Sequence, residues 1–425
     1  MLYYPWNTFD TSPKGDISPA GEGRKLLMKK EGIHMEQVRF GVVGIGNMGS
    51  GHVKNLFEGK VPGAVLAAVC DLKQDRLDWV KSFCGDDADI AYFQDYKEML
   101  ASGKIDAVMI ATPHYFHPII GMDAFDAGIH VLSEKPIGVY TKKVYEFMAK
   151  AEEHPELTFG IMYNQRTDHF YQKMREMVQS GELGELKRCI WIITDWYRTQ
   201  AYYNSGGWRA TWAGEGGGVL MNQCPHNLDL WQWIFGMPKR IFANCALGKY
   251  HDIEVEDDVT AMAEYENGAT GVFITTTGEY PGTNRLEITG SKGKLVYEAG
   301  KLRYTKLGAD EREFTFSTDQ GFASIPLETM DLEIEGGHGE QHVGILKNFT
   351  NHILHGEPLL APGKEGVNGL SICNAMLMSS WTNQWVDVKN DGEAFWAMLQ
   401  EKIKTSRAKE DSGVVFDTEG TYGNK

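Results

Sequence analysis

The chain has 425 residues, and 42 Lys and Arg against 58 Asp and Glu give it a formal net charge of −16. With 42% hydrophobic residues it can build real cores, which excludes global disorder, and its length suggests roughly two or three domains. The negative field, with no Lys/Arg-rich run, argues against a nucleic-acid partner and favours a small uncharged or cationic substrate.

No run of about 18 uncharged apolar residues is present, so no membrane partner or span is expected. The first 35 residues hold no apolar core of signal-peptide length, which argues against export. The six cysteines are scattered, with no C-x-x-C pair and no zinc-spaced histidines. They read as reduced thiols of a cytoplasmic protein, and no metal site is expected.

After a polar arm (1–35), residues 36–160 alternate short apolar runs with helix-like stretches. VRFGVVGIG (38–46), AVLAAVCD (64–71) and DAVMIATP (106–113) suit strands buried on both faces. GSGHVKNLFEG, QDRLDWVKSFC and YKEMLASG suit the helices between them. HPIIGMDAFDAG then IHVLSEKP, and VYEFMAKAEEHPE then LTFGIMYNQR, repeat the pattern. The fold class is therefore α/β, with right-handed βαβ units and a doubly wound parallel sheet. From about Leu186 the texture changes to strand-like segments joined by turn signals such as Glu266-Asn267-Gly268, which predicts a mostly antiparallel sheet in an α+β domain spanning 161–356. GVLMNQCPHNLDLWQWIFG (218–236) reads as a helix within it. Residues 340–356 and 366–388 look helical again; 357–390 is read as a return onto the first domain and 391–425 as a C-terminal extension.

Gly44-Ile45-Gly46-Asn47-Met48-Gly49 follows a predicted strand and opens a predicted helix. The first glycine permits the tight turn, the second lets a pyrophosphate approach the backbone and the third lets helix and strand pack closely. The phosphates would sit on the helix N-terminus. Asp71 ends the next strand, 22 residues after Gly49. A carboxylate there accepts from the adenosine ribose and repels a 2′-phosphate, which favours NAD over NADP.

Three further segments then follow in order: ATPHYFH (111–117), AGIHVLSEKP (127–136) and GGGVLMNQCPHNLDLW (216–231). With the fingerprint, they make the sequence resemble the Gfo/Idh/MocA family of nicotinamide-dependent sugar and inositol oxidoreductases over roughly residues 37–300. The resemblance implies an N-terminal Rossmann domain, a C-terminal domain on a large open sheet, and a substrate held between nicotinamide and sheet. It implies that Lys135 touches substrate hydroxyl and cofactor ribose and stabilises the forming alkoxide, and that His226 is the general base. Cofactor contacts are expected from Gly44, Gly46, Asn47, Met48, Asp71, Thr112, Pro113, His114, His117, Glu134, Lys135, Asn164 and Arg166. Substrate contacts are expected from Lys135, Tyr163, Arg166, Trp208, Arg209, Asn222, His226 and Asp229. Asn222 stands where many relatives carry Asp, and an amide cannot raise the basicity of His226 as a carboxylate would.

The segment 196–218, which ends in the triple glycine, is rich in tryptophan, tyrosine and arginine, which suits the apolar faces and hydroxyls of a sugar ring. The leading reading is an NAD-dependent dehydrogenase that oxidises a secondary ring hydroxyl of a neutral sugar, glycoside or cyclitol to a ketone. The alternatives are a glycosidase-like enzyme using transient C3 oxidation and elimination, and a non-catalytic NAD-binding sensor. A homodimer or homotetramer is expected, with the arm reaching a neighbour through Tyr3, Tyr4, Trp6 and Phe9.

Overall fold

The computed structural model describes residues 36–407 and 409, so the N-terminal arm and its aromatic anchors lie outside the described residues. Strands are numbered in chain order. β1 (Val38–Val43), β2 (Ala64–Cys70), β3 (Ala91–Phe93), β4 (Ala107–Ile110), β5 (His130–Ser133) and β6 (Phe159–Ile161) form one parallel sheet in the order β3-β2-β1-β4-β5-β6. Val38, Phe40, Val42 and all four residues of β4 have no exposed surface, as continuous apolar runs in a covered parallel sheet require. Helices Asn47–Phe57, Gln74–Cys84, Tyr96–Ala101, His117–Asp126 and Thr141–Glu152 connect the strands. The sequence reading misses β3, a three-residue edge strand with no buried side chain. The predicted strands also run past the observed ones. The surplus residues, at 44–46, 71, 111–113 and 134–136, leave the ladder at the carboxyl ends of β1, β2, β4 and β5, which is where open α/β sheets bind ligands.

β7 (Leu186–Ile193), β8 (Arg240–Leu247), β9 (Glu256–Glu264), β10 (Thr270–Thr276), β11 (Asn284–Gly290), β12 (Gly293–Glu298), β13 (Lys301–Leu307), β14 (Leu327–Leu332) and β15 (Val386–Asp387) form the second sheet, in the order β14-β13-β12-β11-β7-β10-β9-β8-β15. All neighbours are antiparallel except β7 and β10, which become parallel because the chain makes a long excursion at 194–239 before returning. β14 escapes the sequence reading because LETMDL is mostly exposed and places two carboxylates among six residues. One face is apolar: Trp191 and Phe273 pack against Tyr171 of helix His169–Gln179 and Trp231 of helix Pro225–Phe235, with ring centroids 5.9 Å (Tyr171–Trp191) and 5.4 Å (Trp231–Phe273) apart. The other face leaves Met262 half exposed.

The stretch at 218–236 is two helical pieces, Val219–Asn222 and Pro225–Phe235, rather than one. Pro225 has no N–H to continue a helix but suits the first turn of a new one, so the axis breaks between Asn222 and His226. The returning helices divide their contacts. Helix Gln341–His355 lies on the first sheet, with Phe349 6.1 Å from Phe40. Helix Gly366–Thr382 bonds β8 through Ser379 and Ser380, and reaches the first domain through Asn374, which bridges Val139 O and Thr141 N. A further helix, Glu393–Lys404, lies in the C-terminal extension; its Trp396 stacks on Tyr140 at 4.0 Å. No disulfide joins the six cysteines, and among the described residues no helix is long and apolar enough to cross a membrane.

Candidate active site

The carboxyl end of the parallel sheet carries a cradle made by the glycine loop. Gly44 has φ +89°, and a Cβ there would lie 2.7 Å from Ala111 O; a Cβ on Gly49 would lie 1.8 Å from Gly44 O. Gly46 differs: a Cβ there would meet nothing within 4 Å, so this glycine keeps space open rather than relieving a protein contact. No side chain caps helix Asn47–Phe57, and its first turn holds no acidic residue. Its N–H groups remain available for an anion. Asp71 is fixed beside the loop, with Oδ2 accepting from Ile45 N at 2.7 Å and Oδ1 from Lys73 N at 2.9 Å. Thr112 Oγ1 is buried with no partner. Open space at Gly46, uncapped amides and an orphaned hydroxyl fit a dinucleotide.

Glu134, Lys135 and Pro136 follow β5. Burial opposes the charge of Glu134, but a 2.8 Å bond from His52 and the charges of His52, His342 and Lys135 outweigh it and hold the carboxyl at about 2. Lys135 is half-buried, and its Nζ donates to Asn222 O at 3.0 Å. Burial lowers the pKa of this amine, while Glu134 and Glu215 oppose the fall. His226, 4% exposed, heads helix Pro225–Phe235. Burial, reinforced by the charge of Lys135, holds its imidazole well below the usual histidine value. It is therefore neutral at pH 7, and its Nδ1 is buried without a partner. A neutral imidazole beside an ammonium can accept a proton while the ammonium stabilises a developing oxyanion.

The aromatic segment closes over these groups. Arg209 lies over Tyr202 at 4.3 Å and Trp208 at 4.8 Å, and its NH1 donates to Tyr202 OH at 2.6 Å. Trp208 meets His114 edge-on at 5.6 Å. Asn222 turns its amide nitrogen onto Glu215, a carboxylate 1% exposed, and Gln223 Nε2 reaches Tyr202 OH at 3.0 Å. Glu215 and Gln223 are absent from the residues expected on sequence. A lone carboxylate directly before three glycines, in an otherwise aromatic segment, was the available signal for Glu215. From the C-terminal extension, Lys409 Nζ bonds the carbonyls of Tyr203 and Arg209 at 2.5 and 3.1 Å.

Five expected ligand residues are held by protein partners. Arg166 has no exposed surface; its Nε and NH2 clasp Asp229 at 2.8 and 2.6 Å, and NH1 bonds Glu365 and Leu360 O. Arg166 and Asp229 thus neutralise each other inside the protein, because a buried guanidinium needs a carboxylate more than a ligand does. Tyr163 OH donates to Gly366 O at 3.3 Å, and its ring faces Arg166 and the edge of His226. Both His117 ring nitrogens approach backbone carbonyls, of Thr112 and Pro136, at 2.7 Å. It ties the ends of β4 and β5 together. Asn164 donates to Gln341 at 2.7 Å, but its Oδ1 is buried and unpartnered.

Comparison with known proteins follows the same two domains. Residues 38–161 match the model described as oxidoreductase family, NAD-binding Rossmann fold, and residues 171–296 match the GFO/IDH/MocA C-terminal domain model. The chain belongs to the Gfo/Idh/MocA family. It is 26% identical over 337 residues to the myo-inositol 2-dehydrogenase of Thermotoga maritima, covering 77% of this chain and 92% of that protein. It is 24% identical over 336 residues to the levoglucosan dehydrogenase of Pseudarthrobacter phenanthrenivorans, covering 69% and 83%. The solved WlbA dehydrogenase of Chromobacterium violaceum, in complex with NADH and UDP-GlcNAcA, superimposes with a TM-score of 0.71 at 25% identity, covering 83% of this chain and 96% of that one. This Gfo/Idh/MocA protein is an oxidoreductase with an NAD-binding Rossmann domain. Both family models end before Trp381 and Lys402, which pack against Trp212, and before Lys409, so these contacts on the aromatic segment lie outside them.

Proposed function

We propose that the protein oxidises a secondary ring hydroxyl of a neutral sugar, glycoside or cyclitol to a ketone with NAD as acceptor. The observation that carries this reading is the pairing of a neutral His226 with the Lys135 ammonium beside the cradle. Bound NAD would supply the two-electron acceptor. Lys135 orients the substrate hydroxyl and stabilises its oxygen as the proton leaves, and His226 takes that proton. The aromatic segment supplies a platform for the ring, with Trp208 and Arg209 at its centre and Asn222 at its edge. Relatives named for myo-inositol and levoglucosan support a neutral polyol ring. A screen of neutral rings against their phosphorylated or acidic counterparts tests the reading. NADH formed in step with ketone supports it and separates it from elimination chemistry, whereas preferred turnover of a sugar phosphate overturns it.

Asp71 sets the cofactor expectation. Its carboxylate beside the glycine loop repels a 2′-phosphate, so NAD should be preferred. Asp71→Ser should narrow the NAD/NADP gap in kcat/KM by about tenfold, the equivalent of about 1.4 kcal/mol. Equal turnover with NADP in the unmutated protein would contradict this.

Trp208→Ala and Arg209→Ala should each raise KM roughly tenfold more than they lower kcat, the pattern of lost ring binding. An unchanged KM in both would assign the segment to packing. For assembly, the half-exposed Met262 face of the second sheet is expected to be covered in a homodimer or homotetramer. A stable monomer by light scattering at micromolar concentration would contradict it.

A further inference from the structure

Glu215 is a buried carboxylate for which the proposed reaction has no use. It is 1% exposed, on the turn that leads into Gly216, and three groups converge on it: the Asn222 amide nitrogen, Ala210 N at 2.5 Å on Oε2, and Arg209 NH1 at 3.9 Å from Oε1. Asn222 is thereby gripped at its side chain, and its backbone carbonyl is the acceptor that holds Lys135 Nζ at 3.0 Å. The path Glu215–Asn222–Lys135 joins the ring-binding segment to the amine.

We propose that Glu215 is a positioning residue for Lys135: through Asn222 it fixes the carbonyl that aims the ammonium, and it supplies the negative charge facing that ammonium from the second domain. The charges around Lys135 make the assignment specific. Behind it, on its own strand end, Glu134 is already bonded to His52, with His342 close by. His114 and His117 face it from the turn after β4, and burial holds both below the usual histidine value. From the second domain come neutral His226, the Cys224 thiol, Arg209 and Glu215. Glu215 is the carboxylate on that side: burial raises its pKa, while the charge of Arg209, the bonds from Ala210 N and Asn222 and the charge of Lys409 favour the ionised form, and Arg209 partly cancels it at Lys135. The inference rests on the role proposed for Lys135, but its charge logic holds whatever the substrate.

The test reads the Lys135 amine directly, in protein without substrate, by competitive labelling with acetic anhydride across a pH series, mapped by mass spectrometry. Glu215→Gln removes the facing charge and should move the Lys135 labelling midpoint down by about one pH unit. Arg209→Gln removes the partly cancelling cation and should move it upward by a smaller amount. Glu215→Asp, which keeps the charge, should return the midpoint toward that of the parent. With a turned-over substrate, the basic limb of kcat/KM should move with the midpoint. A folded Glu215→Gln, with its thermal transition retained, whose midpoint matches the parent overturns the proposal. If that variant does not fold, an unmoved midpoint in Arg209→Gln does so. A fall in kcat/KM that is equal at every pH, with the labelling midpoint unmoved, likewise overturns it. If the midpoints move but no neutral ring is oxidised, the substrate reading falls and the positioning role stands.

Discussion

Lys135→Ala and His226→Ala are each expected to lower kcat by about a hundredfold or more on the true substrate, while NAD still binds. Neither side chain belongs to the glycine loop or to the Asp71 site, so fluorescence titration should still show NAD binding in both variants. Steady-state kinetics supply the decisive number, and near-normal kcat in either variant strips that residue of its catalytic role. The pH profile adds a signed check. His226 is held well below the usual histidine value by burial and then by the charge of Lys135, so the base stays unprotonated below pH 6.5 and the acid limb of kcat/KM should lie lower still. Lys135 must carry its proton to stabilise an oxyanion, and burial lowers its pKa, so the basic limb should fall before an ordinary lysine would titrate.

The second large effect concerns stability. Asp229→Leu should cost about 3–5 kcal/mol, because it leaves the Arg166 guanidinium buried with only Glu365, itself one-third exposed, as a charged partner. Arg166→Met should cost a similar amount, by stranding the fully buried Asp229. The double variant Arg166→Met/Asp229→Leu should recover part of the loss, since two apolar side chains strand only the outer Glu365. Urea denaturation of the three proteins measures the coupling. If Asp229 instead served mainly as a ligand contact, its replacement would raise KM and leave the unfolding transition close to parental.

How far the sequence reached depends on the range of the interactions involved. The Rossmann half was legible because its signals are local. A buried parallel strand must be a continuous apolar run, and a phosphate turn must place glycines at fixed offsets, so 38–71 announced both the sheet and the cradle. The family resemblance drew His226 and Lys135 from the same kind of short, ordered pattern. Most of what the sequence missed or misassigned has no local signature. The edge strands β3 and β14 are held by neighbours rather than by their own apolar alternation. Arg166 and Asp229 sit 63 residues apart, and only tertiary packing decided that they would neutralise each other instead of binding a ligand. Glu215, a single carboxylate among aromatics and glycines, acquired partners from the residues around it only when the chain folded back on itself. Composition and spacing determined the fold class, the cofactor cradle and the chemical inventory. The tertiary structure decided which charges face the cleft and which are used up inside, because burying a charge costs several kcal/mol unless the fold brings it a partner.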